Sequence, residues 1–197
     1  MATIPAPNID ISPAEEANPA TVVLAGGCFW CVEAVFLPVQ GVERVRSGYA
    51  GNSRASANYQ AVCSGLNNHA EVVEVTYDPS QVSFGRLLQL FFGAAHDPTQ
   101  LNRQGHDRGR QYRSAIFYSS ARQREVAEAY IAQLDAANVF SQPIVTTLEP
   151  LEAFFEAEPY HQNYAARNPA QPYVLFTALP KVEKLKETFP EALKAAP

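Results

Sequence analysis

The sequence predicts an α+β fold in which helices pack on a mixed β-sheet. Short runs rich in β-branched residues, such as 21–26, alternate along the chain with amphipathic segments such as 121–137. Several links between the strands are too irregular for right-handed βαβ units, which argues against a purely parallel sheet. The chain has 197 residues, of which 47% are hydrophobic and 18% charged, and this is enough for one globular domain with a buried core.

The individual elements follow from local patterns. A β-branched run that ends in glycine predicts a strand at 21–26, and apolar residues at helical spacing predict a helix at 28–39, stopped by Pro38 and Gly41. Alternation predicts strands at 42–51 and 69–78. The later patterns predict a helix at 84–96, a polar loop at 97–111, a strand at 113–119, a helix at 121–137, a strand at 143–150, short helical pieces at 152–169 and a last helix at 179–190.

The chain is predicted to consist of a short extension followed by a single domain. Residues 1–20 are rich in proline and alanine, so they are expected to be extended, either disordered or draped over the domain. Residues 21–197 contain no internal repeat and no low-complexity tract, and they form the single predicted domain.

Charge and hydropathy exclude several classes of function. The formal net charge of −5 argues against nucleic acid or an anionic membrane as the main partner. The sequence contains no run of about 18 apolar residues, so no transmembrane helix is expected. The N-terminal residues lack the basic and apolar regions of a secretory signal and the arginines of a transit peptide, so a cytoplasmic protein is expected.

A pair of cysteines at C-x-x-C spacing is the strongest chemical signal. Cys28 follows Gly26-Gly27 at the predicted start of a helix, where the helix dipole and free backbone N–H groups lower the pKa of a thiol. Cys31 lies one helical turn further, with about 5–6 Å between the Cβ atoms in an ideal helix. A disulfide needs about 3.5–4.5 Å between these atoms, so a modest adjustment would bridge the pair.

Other uses of this pair remain open. Both cysteines could be structural, because free cysteine is often buried. Zinc would need further ligands, but the chain has no second cysteine pair and its four histidines are scattered, so no metal is expected. A thiol–disulfide oxidoreductase would also use C-x-x-C. Here, however, the intervening Phe29 and Trp30 form an apolar wall, which suits a small apolar group such as a methyl.

A carboxylic acid and two phenols are candidate hydrogen-bond donors. Alternation in its predicted strand places Glu71 on the apolar face of Val73 and Val75, where desolvation raises the pKa of the carboxyl and keeps it protonated as a general acid. A strand-edge glutamate that reaches water is the alternative. Tyr59 and Tyr112 lie in otherwise polar segments and can each donate a hydrogen bond, although a single tyrosine more often serves packing.

Taken together, these segments resemble the peptide methionine sulfoxide reductase A family. The resemblance spans about 22–168, most of the chain, and its segments occur in the family's order and spacing. They are GGCFW (26–30), YQAVCSG (59–65), HAEVVEVTYDP (69–79), HDPTQ (96–100), RQGHDRGRQYRSAIFY (103–118) and EPYHQNY (158–164).

The resemblance implies the fold and the reaction. The family fold is an α+β two-layer sandwich, with a ferredoxin-like core that carries extensions. The family reduces the S epimer of methionine sulfoxide, free or in proteins, to methionine. By resemblance, Cys28 is the nucleophile, and Glu71 protonates the sulfoxide oxygen. That oxygen is held by Tyr59 and Tyr112.

The resemblance also implies how the rest of the substrate is bound. Phe29 and Trp30 seat the S-methyl group, and Asp107 contacts the backbone amide of the methionine sulfoxide. The Cys28 thiolate becomes a sulfenic acid, a second thiol condenses with it, and thioredoxin or glutaredoxin reduces the resulting disulfide. This chemistry requires no cofactor. A monomer is expected by analogy with the family.

The sequence departs from the family pattern at the second thiol. The family usually has glycine where Cys31 stands, and it often has resolving cysteines near the C-terminus, whereas residues 171–190 contain none. Cys31 is therefore the predicted resolving cysteine. Cys63, in the VCSG segment, is the alternative.

Overall fold

One layer of the structure is a six-stranded mixed sheet, and the computed structural model describes residues 4–195. The strands in chain order are β1 (Ala20–Gly26), β2 (Val42–Ala50), β3 (Ala70–Tyr77), β4 (Arg103–Gln104), β5 (Asp107–Arg108), β6 (Ser114–Tyr118), β7 (Thr147–Pro150) and β8 (Phe155–Glu156). The sheet has the order β7-β6-β1-β3-β2-β8, and β4 pairs with β5 in a separate hairpin.

Helices form the second layer. The α-helices are α1 (Phe29–Phe36), α2 (Tyr59–Cys63), α3 (Phe84–Leu90), α4 (Ala121–Ala136), α5 (Tyr164–Arg167) and α6 (Leu179–Thr188). The four strands β6-β1-β3-β2 pair antiparallel, with α1 between β1 and β2 and α3 between β3 and β6. This arrangement is the ferredoxin-like core, and the parallel pairing of β6 with β7 makes the extended sheet mixed.

The apolar side chains of the sheet are divided between two cores. The larger core joins inward-facing residues of β1 and β3, such as Leu24 and Val75, to α1, α3 and α4. The smaller core lies on the other face of the sheet, around Val72 and Phe117, and Leu151 and Phe154 pack against it. The two-layer α+β architecture expected from the sequence is confirmed. Across residues 4–195, no helix is both long and apolar enough to cross a membrane.

The first part of the chain lies against the helical layer. Ile4 and Ile11 are buried in the larger core. Asp10 joins the segment to the start of α3, where its carboxylate accepts the Gly85 N–H at 2.7 Å and the Ser83 hydroxyl at 2.6 Å. Of the two arrangements expected for this segment, residues 4–19 therefore adopt the draped one.

Several boundaries differ from the sequence patterns. The α-helix predicted at 84–96 ends at Leu90, and residues 91–95 continue as a π-helical turn. The predicted loop at 97–111 contains the β4–β5 hairpin. A side chain of the same loop stabilises the hairpin, because Oε1 of the Gln100 side chain accepts the Gly105 N–H at 2.7 Å. The strand predicted at 143–150 begins only at Thr147, and the segment predicted as helical pieces contains β8.

Candidate active site

The turn between β1 and α1 places Cys28 at the N-cap of α1. Gly27 precedes it with a φ of +89°, and a Cβ there would lie 2.6 Å from Gln104, so the turn requires glycine. The Cys28 carbonyl accepts the N–H of Cys31 at 3.1 Å and of Val32 at 3.4 Å, which starts the helix. Cys28 therefore lies beyond the carboxyl end of the central strand β1 and at the start of α1, which is the position that the sequence predicts.

Strand β3 brings Glu71 to the same end of the sheet. Strands β1 and β3 are neighbours, and Leu24 pairs with Val73, so Glu71 lies level with the end of β1. The Phe29 N–H donates to Glu71 Oε2 at 3.0 Å, and the residue is only 2% exposed. Burial raises the pKa of this carboxyl to about 8, while the Phe29 hydrogen bond opposes the shift. Glu71 is therefore a buried acid that carries a proton at neutral pH.

Two phenols approach the same point from other segments. Tyr59 begins α2, where the Glu158 carboxylate accepts its backbone N–H at 2.8 Å, and Tyr112 ends a 3₁₀ turn just before β6. Burial raises the pKa of both hydroxyls, and the Glu71 charge adds to the shift at Tyr112. Both phenols therefore remain protonated and can donate hydrogen bonds. The sequence placed both in polar segments, and the short helical turns were not predicted.

These groups line one cavity of about 200 Å³. Its walls are formed by Cys28, Phe29, Trp30, Tyr59, Glu71, Asp107, Tyr112 and Tyr173. Every predicted site residue except Cys31 lies in this set. Cys31 is next to the cavity but fully buried, with its thiol 3.8 Å from the Tyr173 hydroxyl.

The apolar wall of the cavity is fixed from behind. The Trp30 ring stacks on Tyr164 with 3.7 Å between ring centroids and 8° between planes. Its indole N–H donates to His161 Nδ1 at 3.1 Å, and the buried His161 ring also contacts Phe29 and Tyr59. Trp30 is therefore held in one orientation, with Phe29 beside it.

The two thiols of the C-x-x-C pair differ in acidity. Burial raises the pKa of Cys28 well above its ordinary value, and the hydrogen bond to Cys31 and the charge of Glu71 add to the shift. The expectation that the helix start lowers the pKa of Cys28 is therefore wrong. The thiol is desolvated, and the Phe29 N–H donates its hydrogen bond to Glu71 rather than to the Cys28 sulfur. The hydrogen bond from Cys28 lowers the pKa of Cys31 to about 7, and the charge of Lys181 contributes.

Comparison with known proteins identifies the family of the chain. Residues 20–193 match the family model described as peptide methionine sulfoxide reductase. The chain belongs to this family. It is 50% identical to peptide methionine sulfoxide reductase MsrA 2 of Synechocystis over 98% of this chain and 91% of that protein. It is 53% identical to the MsrA of Chromobacterium violaceum over 87% of this chain and 97% of that protein.

A solved structure supports the same assignment. Reduced Mxr1 of Saccharomyces cerevisiae is 30% identical, with a TM-score of 0.70, over 83% of this chain and 92% of that one. The chain is accordingly a peptide methionine sulfoxide reductase of the MsrA type, an oxidoreductase that reduces methionine sulfoxide. Within residues 4–195, no group of three or more histidine, cysteine, aspartate or glutamate side chains could hold a metal ion.

Three residues of this reductase site were missed by the sequence reasoning. Tyr173 lines the cavity, and its hydroxyl donates a short hydrogen bond to the Asp107 carboxylate. His161 and Tyr164 hold Trp30 from behind. The segment EPYHQNY contains the last two and could have pointed to them, but no local pattern distinguishes Tyr173 from a packing tyrosine.

Cys63 lies at the margin of the site. Its side chain is exposed, and burial of the thiol raises its pKa, an effect that the neighbouring Tyr59 hydroxyl opposes. Cys28, Cys31 and Cys63 are all free thiols.

Proposed function

We propose that this reductase converts the S epimer of methionine sulfoxide, free or in proteins, to methionine through a sulfenic acid on Cys28. The observation that supports this most directly is the position of Glu71. A buried carboxylic acid, protonated at neutral pH, lines the same cavity as the Cys28 thiol and two phenols. A sulfoxide is a poor electrophile, so it needs both a nucleophile and a proton donor.

The polar side of the cavity receives the sulfoxide oxygen. The Phe29 N–H donates a hydrogen bond to Oε2 of Glu71, so the proton that Glu71 transfers is carried on Oε1. Tyr59 and Tyr112 donate hydrogen bonds to the same oxygen and stabilise the charge that develops on it. As the Cys28 sulfur bonds to the substrate sulfur, the thiol proton and the Glu71 proton pass to the sulfoxide oxygen, which leaves as water when the S–O bond breaks. Water then attacks the Cys28 sulfur, and the bond between the two sulfurs breaks with its electron pair going to the substrate sulfur. Methionine is released, Cys28 is left as a sulfenic acid, and the proton of the attacking water returns to Glu71.

The apolar and outer parts of the cavity orient the substrate. Phe29 and Trp30 hold the S-methyl group, which places the lone pair and oxygen of only one sulfur epimer correctly. The Asp107 carboxylate binds the backbone amide of the methionine sulfoxide. Tyr173 donates to that carboxylate and keeps it in place.

Cys31 resolves the sulfenic acid in this account. Its side chain lies within one helical turn of Cys28, and its pKa, lowered to about 7, makes a thiolate available at neutral pH. Condensation expels water and forms the Cys28–Cys31 disulfide. Thioredoxin or glutaredoxin then reduces the disulfide, with the enzyme acting as a monomer in the cytoplasm. Burial raises the pKa of Cys63, the alternative, so its thiol is less ionised at neutral pH than that of Cys31.

The test of the reaction is a single turnover with each epimer of N-acetyl-methionine sulfoxide amide. Wild type is expected to release one methionine per enzyme from the S epimer and essentially none from the R epimer. Cys28→Ser is expected to release none, because a serine alkoxide is inaccessible at neutral pH. Equal rates with both epimers would contradict the proposal that Phe29 and Trp30 form a pocket for the S-methyl group. Release of methionine by Cys28→Ser would contradict the assignment of Cys28 as the nucleophile.

The test of the resolving step follows the thiols. After one equivalent of substrate, wild type is expected to lose two thiols, and peptide mapping is expected to find Cys28 joined to Cys31. Cys31→Ser is expected to release one methionine, hold sulfenic acid at Cys28 and stall with thioredoxin. A Cys28–Cys63 disulfide would assign the resolving role to Cys63. Full thioredoxin-driven turnover by Cys31→Ser would also contradict the assignment of Cys31.

A further inference from the structure

The two sulfurs of the C-x-x-C pair are unequally accessible. Cys28 is 8% exposed and lines the cavity, whereas Cys31 is 0% exposed and does not line it. Thiol–disulfide exchange requires the incoming sulfur to reach one sulfur of the disulfide, in line with the bond that breaks. From the cavity, only the Cys28 sulfur can be reached. Cys31 lies behind it in the protein interior, so an attack on Cys28 from the cavity has Cys31 as the leaving sulfur.

The surroundings of Cys31 favour its departure as a thiolate. Helix α6 packs on α1 and carries Lys181, whose positive charge favours the ionised form of Cys31. The Tyr173 hydroxyl lies 3.8 Å from the Cys31 sulfur. A thiol of lower pKa leaves faster in exchange. Burial disfavours the ionised form of both thiols, and the Lys181 charge opposes it at Cys31.

We infer that the external reductant attacks the sulfur of Cys28 and that Cys31 is the leaving group. This inference rests on the proposed Cys28–Cys31 disulfide. The thiolate of an external dithiol forms a bond to the Cys28 sulfur as the Cys28–Cys31 bond breaks, and the electron pair goes to Cys31. The second thiol of the reductant then attacks the reductant's own sulfur in the mixed disulfide and releases Cys28. The enzyme gains two electrons, and the dithiol becomes a disulfide.

This route has a consequence for the order of events. The attacking thiol enters the same cavity of about 200 Å³ that the sulfoxide occupied. Methionine must therefore leave before the reductant can act, and a small ligand in the cavity must compete with the reductant. A reductase with a surface-exposed resolving cysteine would show no such competition.

The first experiment traps the mixed disulfide. Wild type is oxidised with one equivalent of methionine-S-sulfoxide, and peptide mapping establishes which disulfide has formed. It is then mixed with a thioredoxin whose second active-site cysteine is replaced by serine, and the adduct is mapped. The adduct is expected on Cys28, and an adduct on Cys31 would overturn the inference. A Cys28–Cys63 disulfide at the first stage would overturn it through the failure of the proposed resolving step, which mapping distinguishes.

The second experiment measures access without relying on a trapped species. Two variants keep one thiol each: Cys31→Ser with Cys63→Ser leaves Cys28, and Cys28→Ser with Cys63→Ser leaves Cys31. N-ethylmaleimide is expected to label Cys28 in the folded protein, but Cys31 only after denaturation. Fast labelling of Cys31 in the folded protein would show that it can be attacked directly, and would overturn the inference.

A third measurement tests Lys181 as a positioning residue for the leaving thiolate. In Lys181→Met, disulfide reduction by dithiothreitol should slow at every pH, by about threefold for each unit by which the pKa of Cys31 rises, because a leaving thiol of higher pKa departs more slowly. The shape of the pH profile should not change, because Cys31 does not titrate while it is held in the disulfide. Lys181→Arg should restore the rate. Lys186→Met is the control, because Lys186 on the same helix pairs with Glu183. A wild-type rate in Lys181→Met, or an equal loss in Lys186→Met, would contradict the leaving-group assignment.

Discussion

Trp30 shows how much of the site depends on single side chains. Its face stacks on Tyr164, its N–H is bound by His161, and its remaining surface borders the cavity beside Phe29. A ring held on this many sides loses little conformational freedom when substrate binds. The proposed methyl pocket is therefore preorganised before the sulfoxide arrives.

Removal of this ring should weaken productive binding. Trp30→Ala is expected to lose a few kcal/mol of transition-state binding, or about a hundredfold in kcat/KM, as for loss of a buried aromatic contact. The measurement is the kcat/KM for N-acetyl-methionine-S-sulfoxide amide. Phe176→Ala is the matched control, because that ring is 80% exposed. A kcat/KM for Trp30→Ala within twofold of wild type would show that the Trp30 ring does not contribute to substrate binding.

Residue-scale chemistry could be predicted where it depends on local pattern. Alternation along β3 placed Glu71 on the apolar face but left open a glutamate that reaches water, whereas the turn sequence was sufficient to place Cys28 at a helix start. The acidity of Cys28 could not be predicted, because it depends on burial by distant segments and on the Phe29 N–H being bound by Glu71. Tyr173 was missed for the same reason, since it reaches Asp107 across 66 positions in sequence.

At the scale of elements, short side-chain caps fix the helices that support the site. Ser120 caps α4, where its hydroxyl accepts the Gln123 N–H at 3.1 Å. Ser83 caps α3 in the same way, and Asp10 adds a second contact there. These caps satisfy N–H groups that the helix itself leaves unpaired.

Loss of the α4 cap should affect stability alone. Ser120→Ala is expected to lower the free energy of unfolding by about 0.5–2 kcal/mol, the usual effect of removing an N-cap hydroxyl. Urea unfolding measures the effect, with Ser141→Ala as the control at an exposed turn. The kcat/KM should not change, because α4 contributes no residue to the cavity. Equal stability of the two variants would show that the Ser120 hydroxyl does not act as a cap.

Elements that have periodic sequence were predictable, and those built by irregular backbone were not. The main strands and α4 were located to within a few residues because their apolar spacing is regular. The π-helical turn at 91–95 and the two-residue strand β8 have no periodic signal. Strand β8 is defined by the pairing of Phe155 and Glu156 with Tyr49 and Gly48 of β2, a long-range contact that no local pattern announces.

At the scale of the whole molecule, the N-terminal segment completes the core without approaching the cavity. Ile11 is 3% exposed, whereas Ile9 in the same segment is 38% exposed. The composition of residues 1–20 left open whether the segment was ordered, because proline and alanine give no periodicity. Its order depends on two isolated isoleucines and on Asp10, which meets α3 across 75 positions in sequence.

Substitution in this segment should separate stability from activity. Ile11→Ala is expected to lower the free energy of unfolding by about 2–5 kcal/mol, as for other buried isoleucines, with kcat/KM unchanged. Ile9→Ala is the control and should cost far less. Thermal or urea unfolding together with steady-state assay provides both readouts. A stability loss in Ile9→Ala equal to that in Ile11→Ala would contradict the packed arrangement.

The central claim is that a protonated Glu71 beside Cys28 drives sulfoxide cleavage. The most direct test is the rate of methionine release in a single turnover, followed across pH. Because the pKa of Glu71 is raised to about 8, the carboxyl is protonated below that pH and ionised above it. The wild-type rate should therefore fall as pH rises through about 8. Glu71→Gln should be slower by about 10²–10⁴ at neutral pH and should not show this decline. A Glu71→Gln variant with the rate and pH profile of wild type would show that the proton comes from elsewhere.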